Sequence, residues 1–457
     1  MPPWTLRYQD GTLTVEGARV DDLPADFVDD DRVGHPRGPA WRYAELVLGA
    51  RAAGQPLQDE ARAFEKLPLE HLAEREPRWY QREAVEAWAK NGRRGAVVLP
   101  TGSGKTFVAE LAILTTQRPT LIVAPTIDLI NQWHTRMEAV FGVKCGILGG
   151  GQHELGPITV STYDSAALHL GRYGNRFGLV IWDEAHHLAA PQRLAAATCC
   201  LAPFQLALTA TWEREDGREG LLSDVLGGGV VYRKEITELA GDFLADYETV
   251  RLTVHLGPEE RERYDACRQQ FQDFCRSEAI GIGGPGGWQS FLRAAARSQA
   301  GRAAHKAFME YKAIAHGSAQ KLELLGSLLV EEHGRPTLIF THDNNTAYRV
   351  SREFLVPCIT HRTDIRERKA LIAAFSSGEL PVLATSRVLN EGVDLPAAEV
   401  AIVLSGTGTV REHVQRLGRI LRPGHGKRAV LYELVSAGTT EEYASKRRRQ
   451  HAAYSRG

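Results

Sequence analysis

No run of 18 or more apolar residues interrupts this 457-residue chain, and its N-terminus has no basic segment leading into an apolar one. The first absence excludes a membrane-spanning helix and the second a secretory leader, so a soluble, cytoplasmic protein without a membrane partner is expected. Net charge is missing too. Lys and Arg number 55 against 56 Asp and Glu, a formal balance of −1 in a chain that is 24% charged. Holding nucleic acid by bulk positive charge is thereby excluded, and any nucleic-acid groove must be local. The six cysteines, Cys145, Cys199, Cys200, Cys267, Cys275 and Cys358, have no repeated metal-ligand spacing. Buried small side chains in a reducing compartment account for them.

What the chain does have is a phosphate-binding pattern. The apolar run at 97–100 feeds Thr101-Gly102-Ser103-Gly104-Lys105-Thr106. In such a turn, backbone N–H groups and a helix N-terminus surround phosphates, the lysine reaches the outer ones, and the threonine hydroxyl meets Mg2+. Leu99 stands where the common spelling has its first glycine, while Gly102 and Gly104 keep the two nearest the lysine. A second apolar run, FGLVIWDE, ends in Asp183-Glu184-Ala185-His186. Hydrolysis of a nucleoside triphosphate needs one carboxylate to hold the metal's water shell and another to handle the attacking water. Asp183 and Glu184 supply the pair.

The length calls for two or three domains. Residues 1–64 read as a small β-hairpin and helix unit, turning polar at VDDDRVGHPRGP. From 65 to 245 apolar strands (AVVLP, TLIVAP, CGILGG, ITVST, LVIWDE, LALTAT) alternate with helical stretches, which favours a parallel sheet covered on both faces. Residues 246–457 make a second α/β lobe through TLIFT, PVLATS, VAIVLS and AVLYEL. Within it, 253–316 reads as two helices joined by a glycine-rich tip at IGIGGPGG rather than as a sheet layer. Arg293, Arg297, Arg302 and Lys306 recur there, on a soluble surface or against DNA. Near the end, VQRLGRILRPG spaces Gln415, Arg416, Arg419 and Arg422 about one helical turn apart, either as a solvated face or as donors to transferring phosphate.

Taken together these residues resemble the superfamily 2 helicases. Arg78-Trp79-Tyr80-Gln81 resembles the segment that reads adenine, with Gln81 offering both amide groups to the base edge. Ala124-Pro125-Thr126, Thr162 and Thr209-Ala210-Thr211 resemble the strand-tracking and coupling motifs. Thr341, Thr385, Glu391-Gly392-Val393-Asp394 and Gln415 to Arg422 complete the set in the second lobe, in the expected order over residues 75–435. Arg214-Glu215-Asp216, directly after TATWE, narrows the resemblance to the XPB/Rad25 family of DNA helicases and translocases, in a compact archaeal or bacterial form.

The resemblance implies two RecA-like parallel-sheet lobes, a damage-recognition-like domain at 1–64, strand separation at Arg214, Glu215 and Asp216, and a thumb-like insertion at 253–316. It implies ATP and Mg2+ as cofactors, with catalysis by Lys105, Asp183, Glu184, Gln415, Arg419 and Arg422. Nucleotide would be held by Arg78, Gln81, residues 101–106 and Asp394, and metal by Thr106 and Asp183. His186 would couple nucleotide chemistry to Thr209–Thr211, and Thr126, Thr162, Thr360 and Thr385 would contact the DNA backbone through hydroxyls or nearby backbone groups. It further implies 3′ to 5′ polarity on forked or duplex DNA, with a repair nuclease as partner, in a protein working as a monomer or in a hetero-complex. Two alternatives stay open beside it: an ATP-controlled clamp or remodelling factor without processive unwinding, and an RNA helicase.

Overall fold

The first strands are set by a two-residue turn. Asp10 and Gly11 both take positive φ, 47° and 82°, which matches the twist of a tight hairpin between β1 (Trp4–Gln9) and β2 (Thr12–Glu16). The computed structural model of this chain describes residues 2–72, 75–213, 217, 219–239, 246–284, 286–386, 398–405 and 428–448. Contacts divide it into two units, Met1–Glu235 and Ile236–Gly457. The expected domain boundary at 245 falls in 240–245, outside the described residues.

The N-terminal region holds more strand than a hairpin. β3 (Val28–Asp30), β4 (His35–Pro39) and β5 (Leu57–Asp59) join it in the order β3-β4-β2-β1-β5. The polar stretch VDDDRVGHPRGP, to which its sequence pattern assigns no element, forms the β3/β4 hairpin. Its two prolines and its acids have low strand propensity, and pairing with β2 overrides that. Arg32 and Arg37 both donate to Asp30, holding its carboxyl below the usual range. Leu6, Leu13, Val15, Phe27, Tyr43 and Leu46 form the core, which also takes in Leu201 from far along the chain. The Tyr8 hydroxyl, 2.6 Å from Leu170 O and 3.0 Å from Cys199 O, closes the same junction.

The rest of the first unit is an eight-stranded sheet. Its strands are β6 (Arg94–Val98), β7 (Thr120–Ala124), β8 (Gly146–Gly149), β9 (Gln152–Glu154), β10 (Ile158–Thr162), β11 (Leu179–Asp183), β12 (Phe204–Thr209) and β13 (Val230–Arg233). The order is β13-β6-β12-β11-β7-β10-β8-β9, and every pair is parallel except β8/β9. All five residues of β7 and of β11 are buried, as expected for central parallel strands covered on both faces. Parallel order puts the strand ends Val98, Ala124, Thr162, Asp183 and Thr209 along one edge. In open α/β sheets that carboxyl edge is where ligands bind.

The second unit has a six-stranded parallel sheet, order β14-β19-β18-β15-β17-β16. It comprises β14 (Asp246–Val254), β15 (Thr337–Phe340), β16 (Cys358–Ile359), β17 (Val382–Thr385), β18 (Val400–Val403) and β19 (Arg428–Ser436). Between β14 and β15 lies a helical insert of three helices, where two were expected: Pro258–Ser277, Gly287–Arg297 and Gln299–His316. The unexpected break is at Ser298, whose extended backbone ends one helix while its hydroxyl accepts from Gly301 N and caps the next. Gly301 permits the fold-back, because a Cβ there would lie 2.6 Å from Ala295 Cα. Tyr264, Phe271, Phe274, Phe291 and Tyr311 fill the insert's own core. The C-terminal helix Thr440–Arg448 is tied down by a buried pair, Lys321 Nζ to Glu441 Oε2 at 2.6 Å, with Leu404 O a further acceptor at 2.7 Å.

Candidate nucleotide site

β6 delivers the chain into the phosphate loop, and two glycines shape it. Gly102 and Gly104 both have φ of 84°, a left-handed conformation that side chains disfavour. The loop ends where the helix Lys105–Thr116 begins, so its first N–H groups lack intrahelical partners and can meet an anion. Lys105 Nζ donates to Leu99 O (3.2 Å) and Pro100 O (3.4 Å), within the loop itself. Ser103 is fully buried and donates to Pro100 O. Thr101 Oγ1 is buried with no hydrogen-bond partner among the described residues, a polar atom that a phosphate oxygen would satisfy. Thr106, the second residue of the helix, is half-buried. A glycine-lined cradle, a lysine at its rim and a buried orphan hydroxyl fit a nucleoside triphosphate.

Arg78 and Gln81 sit differently from the expectation that Gln81 offers both amide groups to a base. Gln81 is 1% exposed, and its Oε1 accepts from Arg78 N while Nε2 donates to Ser103 O (3.0 Å) and Gly104 O (3.3 Å). Tyr80 donates to Ser103 O at 2.7 Å. In this structure the segment braces the loop from behind, and a Cβ on Gly104 would strike Gln81 Nε2 at 2.6 Å. The aromatic pair packs edge to face, with Trp79 43% exposed.

Asp183 ends β11 at the same edge. Trp133 Nε1 donates to Asp183 Oδ2 at 2.8 Å, and Glu184 N donates to Oδ1 at 3.0 Å. Burial pushes the Asp183 carboxyl up, opposed by the Trp133 donor and the positive charge of Lys105. Sequence reasoning missed Trp133, because a tryptophan on the helix Ile127–Phe141 reads as ordinary core. It missed Tyr163 for the same reason, although its hydroxyl donates to Asp183 O at 2.9 Å. Trp133→Phe deletes a donor to the ionised carboxylate and so moves the Asp183 pKa further up. Since the charged form is the one that holds metal, the acid limb of the ATPase pH profile is expected to shift to higher pH. An unmoved acid limb would show that Trp133 only packs.

Glu184 has φ of 48°, left-handed for a residue with a side chain, and such outliers concentrate at functional sites. Its Oε2 lies 3.5 Å from His186 Nδ1, which in turn lies 3.3 Å from Thr209 Oγ1. Thr209 donates to Thr211 O and accepts from Thr211 N. A path of close polar contacts thus runs from Glu184 through His186 to the Thr209–Thr211 turn at the end of β12, hydrogen-bonded from His186 onward. His187 packs beside Tyr163 and within 3.2 Å of Arg193.

The four expected backbone-contact threonines divide into two kinds. Thr126 and Thr162 are helix N-caps, accepting from Leu129 N and Ser165 N at the ends of β7 and β10. Their hydroxyls are engaged in capping, which leaves the N–H groups of the helix N-termini as the groups there that could meet an anion. Thr360 and Thr385, in the second unit, are fully buried with internally bonded hydroxyls. Contact through those two hydroxyls does not fit this arrangement, which leaves neighbouring backbone groups. Arg214, Glu215, Asp216, Asp394, Gln415, Arg416, Arg419 and Arg422 lie outside the described residues.

Among the described residues no helix is long and apolar enough to cross a membrane, and no group of three or more His, Cys, Asp or Glu is placed to hold a metal. All six cysteines are free, and burial pushes the Cys145 and Cys200 thiols up to about 12.

Comparison with known proteins places this geometry. Residues 6–61 match the xeroderma pigmentosum group B helicase damage recognition domain. Residues 74–214 match the res subunit of type III restriction enzymes, and 320–424 the helicase conserved C-terminal domain. The chain is 42% identical over 395 residues to the DNA 3′-5′ translocase XPB2 of Sulfurisphaera tokodaii, covering 86% of this chain and 89% of that one. It is 31% identical to the DNA 3′-5′ helicase XPB of Mycobacterium tuberculosis, over 95% of this chain and 72% of the relative. The crystal structure of the Pyrococcus furiosus Hef helicase domain shares the fold, with a TM-score of 0.55 over 82% of this chain and 98% of that one at 19% identity. The fold is thus that of the RecA-like helicase lobes with an added N-terminal domain and helical insert, and the chain belongs to the XPB/Rad25 family of ATP-dependent DNA helicases.

Proposed function

We propose that this protein is an ATP-driven motor that moves 3′ to 5′ along DNA and opens or remodels forked or duplex DNA in repair. One observation carries the reading: at a single sheet edge, a glycine-shaped phosphate cradle lies with the carboxylate pair Asp183 and Glu184, and Glu184 contacts His186, which reaches the Thr209–Thr211 turn. A nucleotide-dependent change at Glu184 thereby has a route to the rest of the chain.

Lys105 binds the outer phosphates, and Thr106 and Asp183 would hold Mg2+, which would supply charge neutralisation at the transferring phosphoryl oxygens. Glu184 orients the attacking water and takes its proton. From their sequence pattern, Gln415 positions the same water, Arg419 and Arg422 support the developing charge, and Arg78, Gln81 and Asp394 belong to the nucleotide-binding set. Arg214, Glu215 and Asp216 act in strand separation, while the capped helix N-termini at Thr126 and Thr162, with backbone near Thr360 and Thr385, register the DNA backbone. One chain carries both motif sets, so the motor works as a monomer or in a hetero-complex, with a repair nuclease as the partner class.

ATP hydrolysis by the parent protein with no nucleic acid, forked DNA, blunt duplex or RNA tests this reading. Stimulation by forked or duplex DNA is expected, and stimulation by RNA alone would overturn the substrate assignment. The 42% identical relative is called a translocase and others helicases, so strand displacement is the discriminating second assay. DNA-stimulated turnover without displacement or movement identifies a clamp.

A further inference from the structure

The helical insert carries a surface that the nucleotide chemistry does not use. Its second helix opens at Gly287, followed at once by Trp288. Gly287 has no room for a Cβ, which would lie 2.1 Å from Gly281 O, so the glycine-rich loop folds back tightly and leaves Trp288 at its rim. The indole is supported from beneath. It stacks on Phe291 at 5.1 Å between centroids and 29° between planes, and meets Phe308 at 4.7 Å. Phe291 is fully buried, whereas Trp288 remains 37% exposed. A large aromatic residue with one side fixed by a core and another open to solvent is a ready stacking surface.

The stretch of sequence that carries it has charge of one sign. Residues 279–309 contain no Asp or Glu, in a chain whose acids and bases otherwise balance, and they hold Arg293, Arg297, Arg302 and Lys306. All four are exposed, and none forms an ion pair with another described residue. Arg293 and Arg297 are four residues apart on the helix that carries Trp288, as are Arg302 and Lys306 on the next. A partly exposed aromatic ring, with exposed cations carried on its own helix and the next, offers the chemistry of the two halves of a nucleotide, a π-face and a phosphate.

Building on the DNA-motor reading above, we propose that Trp288 is a base-stacking platform for single-stranded DNA. An unpaired base lies on the indole while Arg293, Arg297, Arg302 and Lys306 track the adjoining phosphates. Stacking needs only a π-face, so this contact is indifferent to sequence, and a base in an intact duplex cannot reach it.

The test uses the full chain and forked DNA carrying 2-aminopurine in its single-stranded arm. Binding is expected to quench the fluorophore in the parent. Trp288→Ala is expected to lose the quench and about tenfold or more in affinity for the forked DNA, with Trp288→Phe retaining most of both. Arg293→Gln with Arg297→Gln should flatten the dependence of log affinity on log salt by about 1.4 while leaving the quench in place at low salt. Thermal unfolding of each variant separates loss of the ring from collapse of the insert, and Trp288→Phe preserves the aromatic core if the alanine variant does not fold. Parent-like quench and affinity in folded Trp288→Ala would overturn the platform and leave this face to a protein partner. Failure of any DNA to stimulate ATP hydrolysis would instead overturn the motor reading, so the two failures are distinguishable.

Discussion

Glu184→Gln is expected to bind ATP and DNA as the parent does and to lose at least about 100-fold in turnover, the usual worth of a positioned general base. Glutamine keeps the size of the side chain and its place beside His186, while the amide can no longer take a proton. The left-handed backbone at 184 makes this a sharp test, because that conformation costs on the order of 1–3 kcal/mol and persists only where its surroundings enforce it. The strain is best explained if it aims the carboxylate. Single-turnover hydrolysis measured beside nucleotide binding separates the two effects, and turnover equal to the parent would sink the assignment.

The second large effect concerns stability rather than chemistry. Lys321 is fully buried, and its ammonium reaches Glu441 and Leu404 O, while Glu441 also accepts from Ser436 N at 3.2 Å. Lys321→Ala would leave a carboxylate buried without its counter-charge, a loss of about 3–5 kcal/mol. Lys321→Met combined with Glu441→Gln removes both charges and keeps an acceptor for Ser436 N, so the pair of changes is expected to cost less than Lys321→Ala alone. Urea unfolding followed by a probe in the second unit reads the difference. A loss under about 1 kcal/mol in Lys321→Ala would mean that water reaches the pair. Nothing in the sequence near Lys321 announces this contact, since its partner lies at the far end of the chain and both residues sit in ordinary helical patterns.

That contrast marks what the sequence made legible. Strands such as β6, β7 and β11 carry continuous apolar runs next to turn residues, so the parallel sheets could be read directly, as could the loop that follows β6 and the acidic pair that ends β11. Local pattern failed where pairing or tertiary contact decides. The β3/β4 hairpin is made of polar residues and prolines that become strand only beside β2. Trp133 and Tyr163 gain meaning from Asp183, which their own neighbourhoods do not reveal. Gln81 was assigned by resemblance to a base, whereas its amide is engaged by the carbonyls of Ser103 and Gly104. The single extra break in the insert hangs on one serine, Ser298, within a run that otherwise favours helix.

One pairing also bears on how the protein is made. Among the described residues, β14 lies at the edge of the second sheet and pairs only with β19, matching Asp246 with Arg428 through to Val254 with Ser436. During synthesis the first strand of that sheet must wait, with its edge open, until β19 has left the ribosome. At about 5–20 residues per second that interval lasts on the order of ten seconds or more. Pairings so distant in sequence are also slow to form. The insert, whose aromatic core is assembled largely from neighbouring helices, can condense within that interval. A chain truncated before β19 would thus be expected to carry a folded first unit and insert beside an unfinished, aggregation-prone sheet edge.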